Sequence, residues 1–163
     1  DTSVHEYPTS EQMAEIAIST ARVVRLFGFE PKVAFVSHST FGQPLTSRTK
    51  HIRKAVDILK EKKVDFEFDG DMQPDVALNP EYEELYPFSK IVGNANILIM
   101  PGQHSAAISY KMMKTLGDTK VIGPLLIGLG LPVEIAPLRS STSEIINLAS
   151  IAAYSADVIK YSK

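Results

Sequence analysis

The sequence predicts an α/β sandwich with a mainly parallel sheet. Short apolar or β-branched runs alternate along the chain with amphipathic helical patterns, which is typical of parallel strands covered by helices. The clearest example is residues 94–133, where an apolar run, a Pro-Gly turn, a helical pattern and a second apolar run follow one another. The loop after the first run, Gly102–Ser105, therefore lies between the carboxyl end of a strand and the start of a helix, where anionic ligands tend to bind in such sheets.

The first predicted helix begins after Pro8 and ends at Gly28. Thr9 can cap it and Gln12 can reach back to the cap, as in a capping box, and apolar residues repeat at helical spacing as far as Phe27. The run that follows, 32–37, is β-branched and aromatic and predicts a strand. A small, hydroxyl-rich loop comes directly after this strand.

The second predicted helix covers 47–63 and buries Ile52, Val56 and Leu59, with its many basic residues pointing elsewhere. Residues 64–69 then alternate strictly between apolar and acidic side chains, which predicts a strand with one acidic face that ends at Gly70. Carboxylates two residues apart on a strand lie roughly 7 Å apart, which is too far for one tight cation site. We therefore expect this acidic face, together with Asp71, to be a solvated edge rather than a metal site.

The second half of the chain predicts three further strands and two long helices. Residues 71–89 form a connection with a short helix starting at Asn79-Pro80. The strand 97–100 leads to a helix that Ser105 caps and Gly117 ends, with its apolar positions on one side. We expect strands in the apolar run 121–131 and in 133–136, and a last helix that continues through Tyr161.

Composition limits the classes of function. The 163 residues allow one substantial core, with 44% hydrophobic and 22% charged residues, no cysteine and a net charge of −2. These values exclude a disulfide framework or a cysteine nucleophile, and they predict no general attraction to nucleic acid or to a membrane surface. No apolar run approaches the roughly 20 residues of a membrane span. We expect a soluble, cytoplasmic protein with one domain.

Three loops between a strand and a helix carry clustered hydroxyl groups: 37–40, His104-Ser105, and 140–143 beside Arg139. Hydroxyls and free N–H groups at helix starts suit a phosphate or carboxylate, and Arg139 can add a bidentate contact. The alternative is that these residues are only caps and turns, which the S-x-x-E spacing of Ser141 and Glu144 favours. A cation of the basic helix can also hold an outer phosphate if it lies near these loops.

His104 and Ser105 do not predict a nucleophile with its base. Neighbours in sequence rarely face each other for proton transfer, and the sequence identifies no acid that would orient the histidine. We therefore predict no catalytic residue in this chain.

Several phrases resemble, in order, the carboxyl-terminal half of the phosphate acetyltransferase and butyryltransferase family. They are FGFEPKVAFVSHSTFG, DGDMQPDVAL, ANILIMP with the helix after it, KVIGPLLIGLGLPV and SEIINLASIAA. More narrowly, DVALNPE, YPFSKI and MPGQHSAAIS are similar to the version of this domain that is fused behind the catalytic region of bacterial NADP-dependent malic enzymes. The resemblance covers nearly the whole chain.

The resemblance implies a three-layer α/β/α sandwich of the isocitrate/isopropylmalate dehydrogenase type found in phosphotransacetylases. Residues 1–163 would be the carboxyl-terminal half of such a domain, within a longer chain. Arg139 matches an active-site arginine of the acetyltransferases, and Glu144 is the nearest match to an acidic residue. Leu138 stands where those enzymes have a serine, so the match is incomplete. The residues that the resemblance assigns to Coenzyme A or phosphate binding are Ser39, Thr40, His104, Ser105, Arg139, Ser140 and Glu144.

The function implied by the resemblance is regulatory: a homodimeric or larger module that binds acetyl-CoA in a malic enzyme. NADP and a divalent metal would then belong to a region outside this chain, and the chain itself would hold no cofactor besides acetyl-CoA or Coenzyme A. The alternative is a working phosphate acetyl- or butyryltransferase that moves an acyl group between Coenzyme A and phosphate. Whether the chain is an enzyme stays open at this point.

Overall fold

A computed structural model describes residues 1–117 and 120–161, and within the last helix it describes side chains as far as residue 157. The chain divides into two compact units, residues 1–110 and 111–163. The elements, in order, are α1 (Ser10–Leu26), β1 (Lys32–Val36), α2 (Ser47–Glu61), β2 (Glu67–Met72), α3 (Pro74–Leu78), a 3₁₀ helix (Pro80–Glu84), β3 (Ile97–Ile99), α4 (Gln103–Leu116) and α5 (Thr142–Tyr161).

The first unit is built on a sheet with strand order β2-β1-β3, and both pairings are parallel. In the central strand, Val33 and Phe35 face one side and Ala34 faces the other, as the period of two requires. Val33 and Phe35 pack with α1 and α2, and Ala34 packs with Met72 and with Ala77 of α3. The predicted α/β sandwich with a parallel sheet is confirmed.

The two predicted helices of the first unit form largely where the sequence places them. Thr9 caps α1 and forms a capping box with Gln12, as predicted. Helix α2 begins at Ser47, ends two residues earlier than predicted, and buries Ile52, Val56 and Leu59. Asn79 accepts a hydrogen bond from the N–H of Glu81 at 3.0 Å, which confirms the short helical start predicted there.

The predicted bounds and exposure of β2 are wrong. The strand runs from Glu67 to Met72 and passes through Gly70, because it pairs with β1 in a register that sets Phe35 opposite Gly70. Asp69 and Asp71 are 8% and 0% exposed, so they do not form a solvated edge. Asp69 is tolerated inside because it accepts the N–H groups of Lys90 and Gly70 at 2.8 and 2.9 Å.

Helix α4 also differs from the prediction. It begins at Gln103, so Ser105 lies in its first turn, and the Ser105 hydroxyl donates to the carbonyl of Gly102 at 2.8 Å instead of capping the helix. The predicted apolar side of this helix is exposed in the described structure, at 57% for Ile108, 54% for Met112, 61% for Met113 and 78% for Leu116.

The strands predicted in 121–131 and 133–136 are absent from the part of the chain that the structure describes, where residues 120–141 form neither strand nor helix. A strand needs a neighbour to pair its backbone groups, and no described strand pairs with this segment. Pro124 and Pro132 further remove two donors.

The last helix forms as predicted, but its apolar seam is largely exposed. Leu148 is buried, whereas Ile145 and Ile146 are 50% and 58% exposed. Among the described residues, no helix has both the length and the apolar character needed to cross a bilayer.

Candidate functional site

The loop after β1, residues 37–44, is tied to the end of β2 along most of its length. The N–H of Ser37 donates to the carbonyl of Met72 at 2.8 Å. The Thr40 hydroxyl accepts the N–H of Gln73 at 3.2 Å, and the Gln73 side chain donates to the carbonyl of His38 at 2.9 Å. These contacts join the carboxyl ends of two neighbouring parallel strands, where ligand sites form in α/β sheets.

Asp71 holds the centre of this loop. One oxygen of its carboxylate, Oδ2, accepts the Ser39 hydroxyl at 2.6 Å and the N–H of Gly42 at 3.3 Å. Its backbone carbonyl accepts the N–H of Phe41 at 2.6 Å. The other carboxylate oxygen, Oδ1, is buried without a hydrogen-bond partner among the described residues. Leaving such an atom unpaired costs about 1–3 kcal/mol of folding free energy. Asp71 therefore holds the loop in place at some cost to the stability of the fold.

A cation of the basic helix α2 does lie near this loop. Arg53 Nη1 is 3.4 Å from the carbonyl oxygen of Phe41. A Cβ atom on Gly42 would be 2.5 Å from that same nitrogen, so a larger residue there would require the guanidinium to move from its observed position. Gly42 also has a φ of 85°, which favours glycine. The arrangement meets the condition, stated from sequence, that one of the helix cations lie beside a strand-end loop.

Of the two hydroxyl residues predicted to bind a ligand in this loop, Ser39 is fully buried and Thr40 is half-buried. The Ser39 hydroxyl points to Asp71, so in this conformation it acts on the loop and not on a ligand directly. A ligand contact for either residue stays a prediction.

The loop between β3 and α4 is engaged by the amino-terminal segment of the chain. The N–H of Gln103 donates to the carbonyl of Glu6 at 3.1 Å, and a Cβ on Gly102 would be 3.0 Å from that carbonyl oxygen. The Glu6 carboxylate is 4.0 Å from His104 Nε2. A carbonyl and a carboxylate therefore already lie where the sequence predicts an anion.

His104 and Ser105 do not form a catalytic pair. The Ser105 hydroxyl donates to the carbonyl of Gly102 and not to the imidazole, and the nearest carboxylate oxygen to His104, on Glu6, lies beyond hydrogen-bond distance. Neither residue is placed for proton transfer to the other. Anion binding by these two residues stays a prediction.

In the second unit, Ser141 and Glu144 form the capping box that their spacing predicts. The Ser141 hydroxyl accepts the N–H of Glu144 at 3.3 Å, and the Glu144 carboxylate accepts the N–H of Ser141 at 2.7 Å. Lys114 of α4 donates to the other oxygen of that carboxylate at 2.7 Å. The contact with Lys114 and the two with Ser141, in that order, lower the pKa of Glu144 to about 2.

Arg139 and Ser140 precede this cap. Arg139 is exposed, and it takes part in none of the ion pairs found within residues 1–117 and 120–161. Ser140 is half-buried and lines a small recess with Glu144 and Leu148. The second unit therefore brings together Ser140 and Glu144, and it leaves the guanidinium of Arg139 available to solvent.

The sequence patterns do not predict the roles of Asp71 and Gly70 in the first unit. The alternating pattern places Asp71 with a solvated face, and it carries no sign of the hydrogen-bond donors that approach Asp71 from residues 39 and 42. The pattern predicts a strand end at Gly70, whereas this residue lies inside β2. A Cβ there would be 2.7 Å from the carbonyl oxygen of Phe35. The glycine between two acids was the available signal for a close backbone approach.

Comparisons with known proteins show which proteins this chain is similar to. The model of the family described as "Phosphate acetyl/butaryl transferase" matches residues 1–153. The chain is 50% identical over 156 residues to an NADP-dependent malic enzyme of Rhizobium meliloti (strain 1021), covering 96% of this chain and 20% of that protein. It is 36% identical over 154 residues to a phosphate acetyltransferase of Bacillus subtilis (strain 168), covering 94% of this chain and 48% of that protein.

The fold of a solved relative agrees. A phosphotransacetylase from Streptococcus pyogenes superposes with a TM-score of 0.91 at 35% identity, over 97% of this chain and 48% of that structure. The chain thus spans about half the length of these acetyltransferase relatives and about a fifth of the malic enzyme.

Proposed function

The chain belongs to the phosphate acetyl/butaryl transferase family, and we propose that it is the carboxyl-terminal half of a regulatory, oligomerising domain that binds acetyl-CoA in an NADP-dependent malic enzyme. The observation that carries the proposal is the 50% identity to a malic enzyme along 96% of this chain, against 36% to the acetyltransferase of Bacillus subtilis. Oxidation of malate would then take place in another region of the full protein.

The local chemistry supports regulation over acyl transfer. Glu144, the nearest match to the acid of the acetyltransferases, has a pKa of about 2 and accepts hydrogen bonds from Lys114 and Ser141. A carboxylate with so low a pKa is a weak base at neutral pH, because its proton affinity lies far from the operating range. Leu138, at the position of the missing serine, supplies no nucleophile or hydrogen bond.

Acetyl-CoA can regulate a distant reaction only if it binds one conformation or assembly state better than another. The exposed apolar residues of α4 and α5 are available for burial by another region of the full-length protein or by a second copy, because such residues are commonly buried at an interface. We assign the contact between copies to these helices, and acetyl-CoA to the loops that follow the strands.

The proposal is tested on the full-length protein that contains this chain. Calorimetry with acetyl-CoA measures binding, and malate turnover with and without acetyl-CoA measures regulation. We expect saturable binding and a change in turnover at the same ligand concentration. Absence of binding, or turnover that does not respond, would contradict it.

The acyltransferase alternative has its own readout in the same preparation. Formation of acetyl phosphate from acetyl-CoA and inorganic phosphate would show that the domain is catalytic. The expected result is no acetyl phosphate above a control without protein.

A further inference from the structure

Three aromatic rings meet beside the loop 37–44. The ring of Phe41 lies 4.8 Å from that of Phe88 and 5.5 Å from that of Tyr86, and the last two are 6.1 Å apart. Phe41 packs against the buried cluster of Met72 and its neighbours, whereas Phe88 is 63% exposed. We call these three residues the aromatic corner. Phe41 fixes the aromatic corner to the core, whereas Phe88 leaves its other side exposed to solvent.

Arg53 brings a positive charge to the same loop. Its guanidinium contacts the carbonyl of Phe41, and Gly42 makes room for it. Within the described residues, no carboxylate pairs with Arg53, whereas Lys54 and Lys60 of the same helix pair with Glu11 and Asp57 at 2.8 Å.

The surroundings of Arg53 add to this charge. The first turn of α2 contains no acidic residue, and Arg48 and Lys50 lie nearby in the sequence of the helix. Lys50 lies about one turn before Arg53 on the helix, and Asp57, about one turn after it, is already paired with Lys60 at 2.8 Å. A cation without an acidic partner attracts anions locally.

The loop that carries Phe41 is held in place before any ligand arrives. Asp71 accepts hydrogen bonds from Ser39, Gly42 and the N–H of Phe41. Phe41 itself has a φ of 49°, which is uncommon for a residue other than glycine and is kept only where the surroundings impose it. Fixed side chains lose little freedom on binding, which favours affinity.

We infer that Arg53 and the aromatic corner form a subsite for the nucleotide end of acetyl-CoA, with a phosphate on Arg53 and the adenine ring on the exposed face beside Phe88. Aromatic rings bind the flat face of a base by stacking, and a guanidinium matches the geometry of a phosphate. An apolar protein segment laid over this surface would bury Arg53 without a partner, which is unfavourable. The inference rests on the proposed function and specifies that the nucleotide end of acetyl-CoA is the part bound by Arg53 and the aromatic corner.

The test measures binding of 3′,5′-ADP, which carries the adenine and phosphates without the acyl chain, to the full-length protein in the presence of saturating NADP. We expect Arg53→Gln to weaken binding about tenfold or more, because it removes a charged hydrogen bond. Phe88→Ala should weaken it about fivefold or more through lost stacking. Inorganic phosphate should compete with 3′,5′-ADP in the parent protein and should do so less well in Arg53→Gln.

Two matched variants serve as controls. Lys60→Gln removes a cation of the same helix that is already paired with Asp57, and Phe29→Ala removes a phenylalanine that is 64% exposed, against 63% for Phe88. Both should bind 3′,5′-ADP as the parent protein does. Urea unfolding midpoints establish that each variant is folded.

Two results overturn the inference: no binding of 3′,5′-ADP to the parent protein, or binding to Arg53→Gln and Phe88→Ala that equals the parent. The second result is also expected if a protein segment covers the aromatic corner, because the two side chains would then not contact the ligand.

Titration with acetyl-CoA distinguishes failure of the subsite from failure of the proposed function. If the parent protein binds acetyl-CoA and both variants bind it equally well, the proposed function stands and the subsite is wrong. If 3′,5′-ADP binding depends on Arg53 and Phe88 while acetyl-CoA neither binds nor regulates, these residues bind an adenine nucleotide other than acetyl-CoA, and the proposed function is wrong.

Discussion

The hydroxyl of Ser39 donates a 2.6 Å hydrogen bond to the carboxylate of Asp71, and neither side chain reaches solvent. The two residues lie 32 positions apart in sequence and join the loop after β1 to the end of β2. The same loop carries Phe41 and Gly42, two and three residues after Ser39, which contact Phe88 and leave space for Arg53 in the proposed nucleotide subsite. The bond therefore connects the stability of the first unit to its candidate function.

A double-mutant cycle on Ser39→Ala and Asp71→Ala is expected to give a coupling free energy of about 1.5–3 kcal/mol, because the bond is buried and charge-assisted. The matched control is the exposed pair of Asp57 and Lys60 at 2.8 Å, for which the coupling should stay below about 1 kcal/mol. Urea unfolding measures both. Equal coupling in the two pairs would contradict the structural role assigned to Asp71.

Gly42→Ala is expected to weaken binding of 3′,5′-ADP, whereas Gly28→Ala is not. Both glycines have a left-handed φ, 85° and 82°, so both substitutions should lower the free energy of unfolding by about 1 kcal/mol. Only at position 42 would the new methyl group meet Arg53, 2.5 Å from Nη1; at position 28 no atom lies within 4 Å. Calorimetry on the two variants checks this. Unchanged binding in Gly42→Ala would show that the position of Arg53 does not matter.

Gly70→Ala should destabilise the first unit by about 3 kcal/mol or more, because a methyl group would clash with backbone and would force an L-residue to a φ of 145°. The new Cβ would lie 2.7 Å from the carbonyl oxygen of Phe35 and 2.8 Å from its Cβ. Gly128→Ala is the control, since its φ is 86° but its surroundings are open. Urea unfolding compares them, and a loss below about 1 kcal/mol at Gly70 would contradict the close approach.

Sequence patterns predicted those parts of the fold that depend on neighbours in the chain. The capping boxes at Thr9 and Ser141, the strand β1 and the buried side of α2 are all local, and all formed. The burial of Asp69 was not predictable in this way, because the N–H of Lys90 that satisfies it comes from 21 residues away. The strands expected beyond residue 120 failed for the same reason, since strand formation requires a partner as well as a pattern.

The candidate site was predicted in outline only. The hydroxyl-rich loops lie at strand ends, and a cation of α2 lies beside one of them, as the alternation of strands and helices indicated. Which hydroxyl faces inward is decided by Asp71, and which cation is available is decided by the ion pairs of Lys54 and Lys60. The contacts of Ser39 with Asp71 and of Lys54 with Glu11 join residues 32 and 43 positions apart in sequence, so local patterns do not predict them.

The stability contributed by Glu144 is expected to vanish in acid. Its pKa in the folded protein is about 2, below the ordinary value of about 4.3, so the contribution is present above that ordinary value and is lost as the pH falls through it towards 2. The difference in unfolding free energy between the parent protein and Glu144→Gln should therefore shrink between about pH 5 and pH 2. A difference that does not vary with pH would contradict this.

The cause of the low pKa can be tested separately. Lys114 is its largest contributor, followed by the hydrogen bonds from Ser141. In Lys114→Gln the carboxyl group keeps its contacts with Ser141, so its pKa should rise towards the ordinary value without reaching it. Carboxyl chemical shifts followed by NMR titration measure the change. A pKa that stays where it was would assign the depression to Ser141 instead.

The exposed apolar side of α4 predicts self-association. Met113 and Leu116 are 61% and 78% exposed, and burying each of them between copies would contribute about 1.5–3 kcal/mol. The double variant Met113→Glu, Leu116→Glu is therefore expected to dissociate the oligomer, since each carboxylate would have to be buried without a partner. Val4→Glu is the control, because Val4 is 65% exposed but lies outside the two helices. Sedimentation velocity measures the assembly state, and circular dichroism establishes that the helices are retained. An oligomer that persists in the double variant, or that Val4→Glu disrupts equally, would place the contact between copies on another surface.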